Sequence, residues 1–214
     1  DTTVDFLNGS TSGAGNVSFD ETDGITVTAF TTANGAFTLN TNGDTVLTSV
    51  VSSTSNDAND ITVTAASGNL TVGTVDAGGA GGDVTLTATT GAILNSTSAV
   101  TGDVVTLTAQ SAIGASGNRI TTTATTLSAT TTAAGAIWLN ETDGAVFNSV
   151  VAADGLIDIV TGGSSTLASI ISTTDTDAND ITITAASGNL TVGTVNAGGG
   201  GGDVTLTATT GSML

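Results

Sequence analysis

Short apolar-x-apolar triplets recur along the whole chain, separated by stretches rich in Gly, Asn, Asp and Ser. The nine triplets are Val17–Phe19, Phe37–Leu39, Ile61–Val63, Val84–Leu86, Val105–Leu107, Ile137–Leu139, Ile157–Ile159, Ile181–Ile183 and Val204–Leu206. Alternation with a period of two predicts short β-strands that are buried on one face. The residues between the triplets are typical of turns.

The spacing of the triplets predicts how the strands assemble. The steps between successive triplet starts are 20, 24, 23, 21, 32, 20, 24 and 23. A repeat of roughly 20–24 residues with at least one strand is typical of a β-solenoid, in which each coil stacks on the one before. Nine coils at about 4.8 Å per coil would form a rod of roughly 43 Å. The one long step, from Val105 to Ile137, predicts an extra loop or corner around Leu127.

A longer repeat contains these coils. The stretch from Asp57 to Leu94 matches the stretch from Asp177 to Leu214 at all but five of 38 positions, with an offset of 120 residues. The sequence therefore predicts one continuous solenoid over residues 1–214. Its first unit would be 1–120 and its second, incomplete unit 121–214, as in a window on a longer repetitive protein.

The amino-acid composition excludes several kinds of binding and catalytic site. The chain has 214 residues, 19 Asp and Glu, a single base (Arg119), no His and no Cys, and its net charge is −18. A basic surface for nucleic acid is excluded, and an anionic membrane surface is disfavoured. Disulfides, thiolate or imidazole metal sites and a Ser-His-Asp triad are excluded as well. Abundant β-branched residues favour an all-β fold, and no apolar run has the length of a membrane-spanning helix.

Three motifs that follow one another, GNLTV, GGDVTLTA and TTGAIL, carry a family resemblance. They resemble the repeats of filamentous-haemagglutinin-type adhesins and of the broader bacterial β-strand-repeat surface proteins. The resemblance implies a right-handed parallel β-helix within a large exported polypeptide that serves as an adhesin shaft, surface layer or extracellular fibre. We accordingly expect a structural, non-enzymatic protein outside the cell or on its surface. Its expected partners are further repeats or neighbouring copies, and a host or cell surface.

Calcium is the alternative that the acidic turns raise. The segment from Gly78 to Leu86 resembles the start of a calcium-binding nonapeptide, but Thr85 stands where an apolar residue belongs, and the motif occurs once per unit. The oxygen-bearing side chains of Asp175, Asp177, Asn179 and Asp180 are better placed for Ca²⁺. A solvated turn before a strand explains them as well, so we predict no cofactor and keep a calcium-dependent adhesin as an alternative.

The tetrapeptide ETDG occurs at Glu21 and again at Glu141. It resembles the NTDG motif of polygalacturonase-type hydrolases, which need converging carboxylates in one cleft. The His and Lys of those enzymes cannot be present here, and a motif that recurs once per unit suits a structural turn. We therefore predict no catalytic residues.

Outward-facing threonines suggest a second alternative, an ice-binding solenoid. If the triplet ends face inward, the middle residues face outward. These are Ser18, Thr38, Thr62, Thr85, Thr106, Trp138, Asp158, Thr182 and Thr205. Ice recognition needs an uninterrupted flat face, and in this alignment Trp138 and Asp158 interrupt the row.

Trp138 is the candidate interface residue. It is the only Trp in the chain, its equivalent in the first unit is Ser18, and the alternation places it on the outside. An exposed Trp is a common anchor of protein interfaces. Packing over a corner or under a loop is an equally good explanation.

Overall fold

The computed structural model describes residues 3–97, 99–174 and 176–214, in which every regular element is a β-strand. The strands are β1 (Phe6–Ser10), β2 (Val17–Glu21), β3 (Ile25–Thr32), β4 (Phe37–Thr41), β5 (Thr45–Ser52), β6 (Ile61–Ala65), β7 (Leu70–Asp76), β8 (Val84–Ala88), β9 (Ile93–Asn95), β10 (Val100–Ala109), β11 (Ile120–Ala134), β12 (Ile137–Glu141), β13 (Val146–Asp154), β14 (Ile157–Thr161), β15 (Ser165–Ser172), β16 (Ile181–Ala185), β17 (Leu190–Asn196) and β18 (Val204–Ala208). Among the described residues, no helix is long and apolar enough to cross a membrane.

The strands pair in parallel, each with the strand one turn further along, and form a β-solenoid of about nine turns. Two ladders run along it. Ladder A contains β2, β4, β6, β8, the end of β10, the middle of β11, β13, β15 and β17. Ladder B contains β1, β3, β5, β7, β9, β12, β14, β16 and β18, with Ile113 bridging β9 to β12.

The core is a stack of the triplet ends. Ile61, Val63, Val84 and Leu86 have no exposed surface, whereas the residue between each pair is partly exposed. The same alternation holds in the other interior turns and confirms the inward and outward assignment. Each turn buries its apolar side chains against the turns above and below, which is how a solenoid obtains its stability.

Between residues 95 and 126 the chain gains half a turn. Strands that lie in ladder A in the first unit therefore have their equivalents in ladder B in the second unit, and the reverse; we call this the ladder exchange. In ladder A, five turns separate Val17 from Leu127, because Val17, Phe37, Ile61, Val84, Val105 and Leu127 stack directly. The next triplet, which begins at Ile137, stacks under Ile113 in ladder B. The 120-residue repeat therefore spans about five and a half turns, and equivalent strands of the two units lie in different ladders.

The extra loop or corner expected around Leu127 is not a loop but an additional half turn of the solenoid. Leu127 is a fully buried residue of β11 that pairs with Val105 above and Phe147 below. The long step between triplets combines one ordinary turn, from Val105 to Leu127, with a further half turn, from Leu127 to Ile137. Triplet spacing alone missed the exchange because the apolar triplet is the same in both ladders.

Close backbone approach fixes one corner between two neighbouring turns in each unit. Gly68 has a positive φ of 79°, a conformation that favours glycine. One turn later, a Cβ at Gly91 would overlap the carbonyl oxygen of Gly68. Gly188 and Gly211 repeat the arrangement in the second unit. The turns can stack at this corner because neither position carries a side chain.

Candidate functional site

The Glu141 side chain of the second ETDG motif points into the solenoid and is fully buried. One carboxylate oxygen accepts a hydrogen bond from the Thr122 hydroxyl, and the other accepts one from the backbone N–H of Ala124 at 3.2 Å. Burial raises the pKa of Glu141 from its ordinary value of 4.5 to about 7, although the bonds from Thr122 and Ala124 oppose that shift. The carboxyl group thus ties β12 to the preceding turn.

Glu21 makes the equivalent link in the first unit. Its carboxylate accepts a hydrogen bond from the N–H of Val4, which is the counterpart of Ala124, at 3.2 Å. A hydrogen bond with Glu21 also raises the pKa of Asp23, with a smaller contribution from burial. Both copies of the motif therefore stabilise the junction between consecutive turns, an arrangement that suits a structural corner.

The acidic motif before β16 is built around a buried amide. Asn179 is 2% exposed, and its Nδ2 donates to the carbonyl and the hydroxyl of Thr174 and to Asp154 Oδ1. Hydrogen bonds from Thr174 and Asn179 lower the pKa of Asp154. Asp180 Oδ1 accepts the N–H of Asp203 at 2.9 Å, one turn below. These side chains fasten a corner and connect two turns.

The same pattern occurs in the first unit, where Asn59 is 1% exposed and donates to Thr54. Asp60 Oδ1 accepts the N–H of Asp83 at 3.1 Å. Asp175, one of the four calcium candidates, lies outside the described residues. Within residues 3–97, 99–174 and 176–214, no group of three or more acidic side chains has the arrangement of a metal site.

Trp138 lies on the outside of β12 and is partly covered by Arg119. The guanidinium carbon of Arg119 is 5.3 Å from the centre of the indole ring. Arg119 also forms an ion pair with Asp158, whose Oδ2 is 2.7 Å from Nη2, and donates to the Asp158 carbonyl at 2.8 Å. The cation and the aromatic ring thus form one cluster that spans three consecutive turns.

Sequence reasoning named Trp138 but did not find its partners. Arg119 and Asp158 are 39 residues apart, and no motif links them. The signal that could have joined them is the turn length, because Trp138 and Asp158 occupy the same position of adjacent turns. Whether Trp138 anchors an interface stays a prediction, but part of its ring already packs within the chain.

The structure corrects the predicted interruption of the threonine row. Thr106 is followed in ladder A by Ser128, whereas Trp138 and Asp158 lie in ladder B. The row in ladder A is therefore continuous through Ser18, Thr38, Thr62, Thr85, Thr106 and Ser128. A second row beside it contains Asp20, Asn40, Thr64, Thr87, Thr108 and Thr130.

An open cavity recurs with the 120-residue repeat. In the second unit it has a volume of about 470 Å³ and lies beside Asp143, Gly144 and Ser164. In the first unit a cavity of about 360 Å³ lies beside the equivalent Gly24 and Asp44. Because equivalent strands lie in different ladders, the two cavities lie on different sides of the solenoid.

No family model, no curated protein and no solved structure matches the chain. The β-solenoid is established by the strand register of the chain itself. The likeness to filamentous-haemagglutinin-type adhesins depends on the three sequence motifs alone.

Proposed function

We propose that the chain is a structural segment of a large secreted or cell-surface repetitive protein, in which stacked units build an extracellular fibre, sheath or adhesin shaft. The observation that carries the proposal is the register across the unit boundary. Val105, Leu127 and Phe147 pair directly with one another where the first unit passes into the second, and the register between β11 and β13 shifts only after Leu127. Further units joined in this way would extend one stiff rod.

Two further properties support a mechanical role. The inward side chains form apolar ladders that run along the rod, so each turn is held by its neighbours. Arg119 is the only site for a protease that cleaves after Lys or Arg, and its side chain is packed on Trp138 and Asp158. The motifs GNLTV, GGDVTLTA and TTGAIL add the resemblance to bacterial surface fibres.

The length of tandem units tests whether they form one continuous rod. Tandem versions of two, four and six units, imaged by electron microscopy, should lengthen by about 26 Å per unit, from five and a half turns at about 4.8 Å each. A string of separate globules with variable angles would contradict the proposal. Addition of a calcium chelator should leave length and melting temperature unchanged, and dissolution by the chelator would favour the calcium-dependent alternative.

Location is tested on the producing cells. Antibodies raised against the 214-residue chain should label intact cells or their shed filaments, and external protease should remove the label. Labelling that requires permeabilised cells would contradict a surface or extracellular role.

A further inference from the structure

The continuous threonine rows of ladder A form a regular surface that stacking of the turns does not by itself require. Three consecutive strands, β6, β8 and β10, each present an outward Thr-x-Thr pair. The pairs are Thr62 with Thr64, Thr85 with Thr87, and Thr106 with Thr108. β11 continues the surface with Ser128 and Thr130, and β4 precedes it with Thr38 and Asn40. We call these five strands the threonine face.

The threonine face is a regular two-dimensional grid. Consecutive strands pair from Phe37 to Thr131 in ladder A without a register shift, so each side chain lies directly over its equivalent in the next turn. The spacing is about 4.8 Å between turns and about 6.6 Å between the two residues of a pair. Thr is β-branched and restricted at χ1, so its methyl and hydroxyl groups hold fixed positions on this grid.

The grid is uncharged in a strongly acidic protein. The chain has 19 acidic residues, yet none of the ten outward residues of the threonine face is charged. The nearest acidic residue in the two rows is Asp20 on β2, one strand before the face, and its Oδ1 accepts a hydrogen bond from Asn40 Nδ2 at 2.8 Å. Asp60 and Asp83 border the face, each directly before its strand, and Asp103 lies in the part of β10 that precedes the Thr pair.

The uncharged hydroxyl and methyl groups of the threonine face indicate which class of ligand it can bind. A divalent cation needs carboxylates, an anionic polymer needs bases, and a sugar ring stacks on aromatic residues, none of which the face offers. What it offers is a periodic set of fixed hydroxyl and methyl groups, which can order water into a matching layer. We propose that the threonine face binds ice through such an ordered water layer.

The 120-residue repeat predicts how this activity would scale. Thr182, Thr184, Thr205 and Thr207 are the equivalents of Thr62, Thr64, Thr85 and Thr87, and they lie in ladder B. Asp158 and Val160 precede them on β14, so in residues 1–214 the second face contains only two Thr-x-Thr pairs. A longer array would carry threonine faces alternately on its two sides.

Ice recrystallisation and thermal hysteresis measurements on the folded 214-residue chain test the proposal. The unaltered chain should inhibit recrystallisation and shape ice crystals. Thr62→Tyr should abolish most of this activity, because a bulky ring in the third turn prevents the water layer from matching the ice surface. Thr182→Tyr is the matched control, because nearly the same strand sequence lies in ladder B, and this variant should retain the activity.

The outcomes are decisive in each case. An unaltered, folded chain without any effect on ice overturns the proposal, and so does equal loss of activity in the two variants. If Thr62→Tyr fails to fold by circular dichroism, Thr85→Lys on the next strand replaces it. Rod length under the microscope is unaffected by either result, so failure of ice binding and failure of the structural proposal are distinguishable.

Discussion

The strands β6 and β16 have nearly the same sequence, ITVTA and ITITA, and nearly identical neighbours on both sides. They form the same local structure, with the same buried ends and the same amide-filled corner before the strand. They nevertheless lie in different ladders, β6 in ladder A and β16 in ladder B. Local sequence therefore determines the strand and its inward face, whereas the cumulative number of residues determines the side of the solenoid on which the strand lies.

The segment between residues 95 and 126 produces that difference. There β10 and β11 continue without a turn across the corner that separates the ladders, so each contributes to both. A repeat of five and a half turns places equivalent surfaces on alternate sides of an array. A whole number of turns would have placed them all on one side.

The largest expected effect contrasts two equivalent positions with different surroundings. Val84→Asp places a charge where no surface is exposed and where no base lies nearby, and it should lower the free energy of unfolding by about 4 kcal/mol or more. Val204→Asp, at the equivalent position with 45% exposure, should cost about 1 kcal/mol or less. Urea unfolding followed by circular dichroism measures both.

Thr85→Asp is the control for the inward and outward assignment, since Thr85 is the outward neighbour of Val84. It should be nearly as stable as the unaltered chain. Equal destabilisation by the aspartates at positions 84 and 85 would contradict the assigned orientation of the strand.

The next effect concerns the two ETDG corners. Because the pKa of Glu141 is raised from 4.5 to about 7, the folded chain binds a proton more tightly than the unfolded chain. Stability should therefore be highest below pH 4.5, fall as the pH rises to 7, and lose about 3 kcal/mol over that range. Unfolding measured at several pH values should reveal this slope.

Glu141→Gln keeps the size and the acceptor oxygen but cannot ionise, so it should flatten the slope. The remaining pH dependence then reports on the other carboxyl groups, including Asp23 and Asp83, whose pKa values are also raised. An unchanged slope in Glu141→Gln would show that Glu141 is not the group responsible.

A smaller effect tests the glycine corner that both units share. Gly91→Ala introduces a Cβ that overlaps the Gly68 carbonyl oxygen, and it should cost about 1–3 kcal/mol through forced backbone movement. Gly13→Ala is the control, because nothing lies within 4 Å of a Cβ there. Equal melting temperatures for the two variants would contradict the close stacking of the turns.

Sequence periodicity predicted the strands, their burial pattern and the solenoid, because the strand period and the regular turn length both follow from apolar positions such as Ile61 and Val84. It did not predict the ladder exchange. Val105, Leu127 and Ile137 are all buried apolar strand residues, and burial alone does not state which of them stack together. Because Ile137 and not Leu127 was expected to stack on Val105, Trp138 and not Ser128 was expected to follow Thr106 in the outward row. The threonine row was therefore predicted to be interrupted at Trp138.

The smallest expected effect addresses the cluster that distinguishes β12 from its first-unit equivalent, in which Ser18 replaces Trp138. Arg119 stacks on the indole ring at a partly exposed site and also pairs with Asp158, and the contact with the ring should contribute about 1 kcal/mol. A double-mutant cycle with Arg119→Gln and Trp138→Ser measures the coupling directly.

A value near zero for the coupling between Arg119 and Trp138 would mean that the ring is held by β12 alone. In that case Trp138 would be free to turn toward a neighbouring copy, and Trp138→Ser should weaken self-association in sedimentation while Arg119→Gln should not. A coupling of about 1 kcal/mol would instead assign the Trp to a contact within the chain, one that joins three consecutive turns beside the ladder exchange.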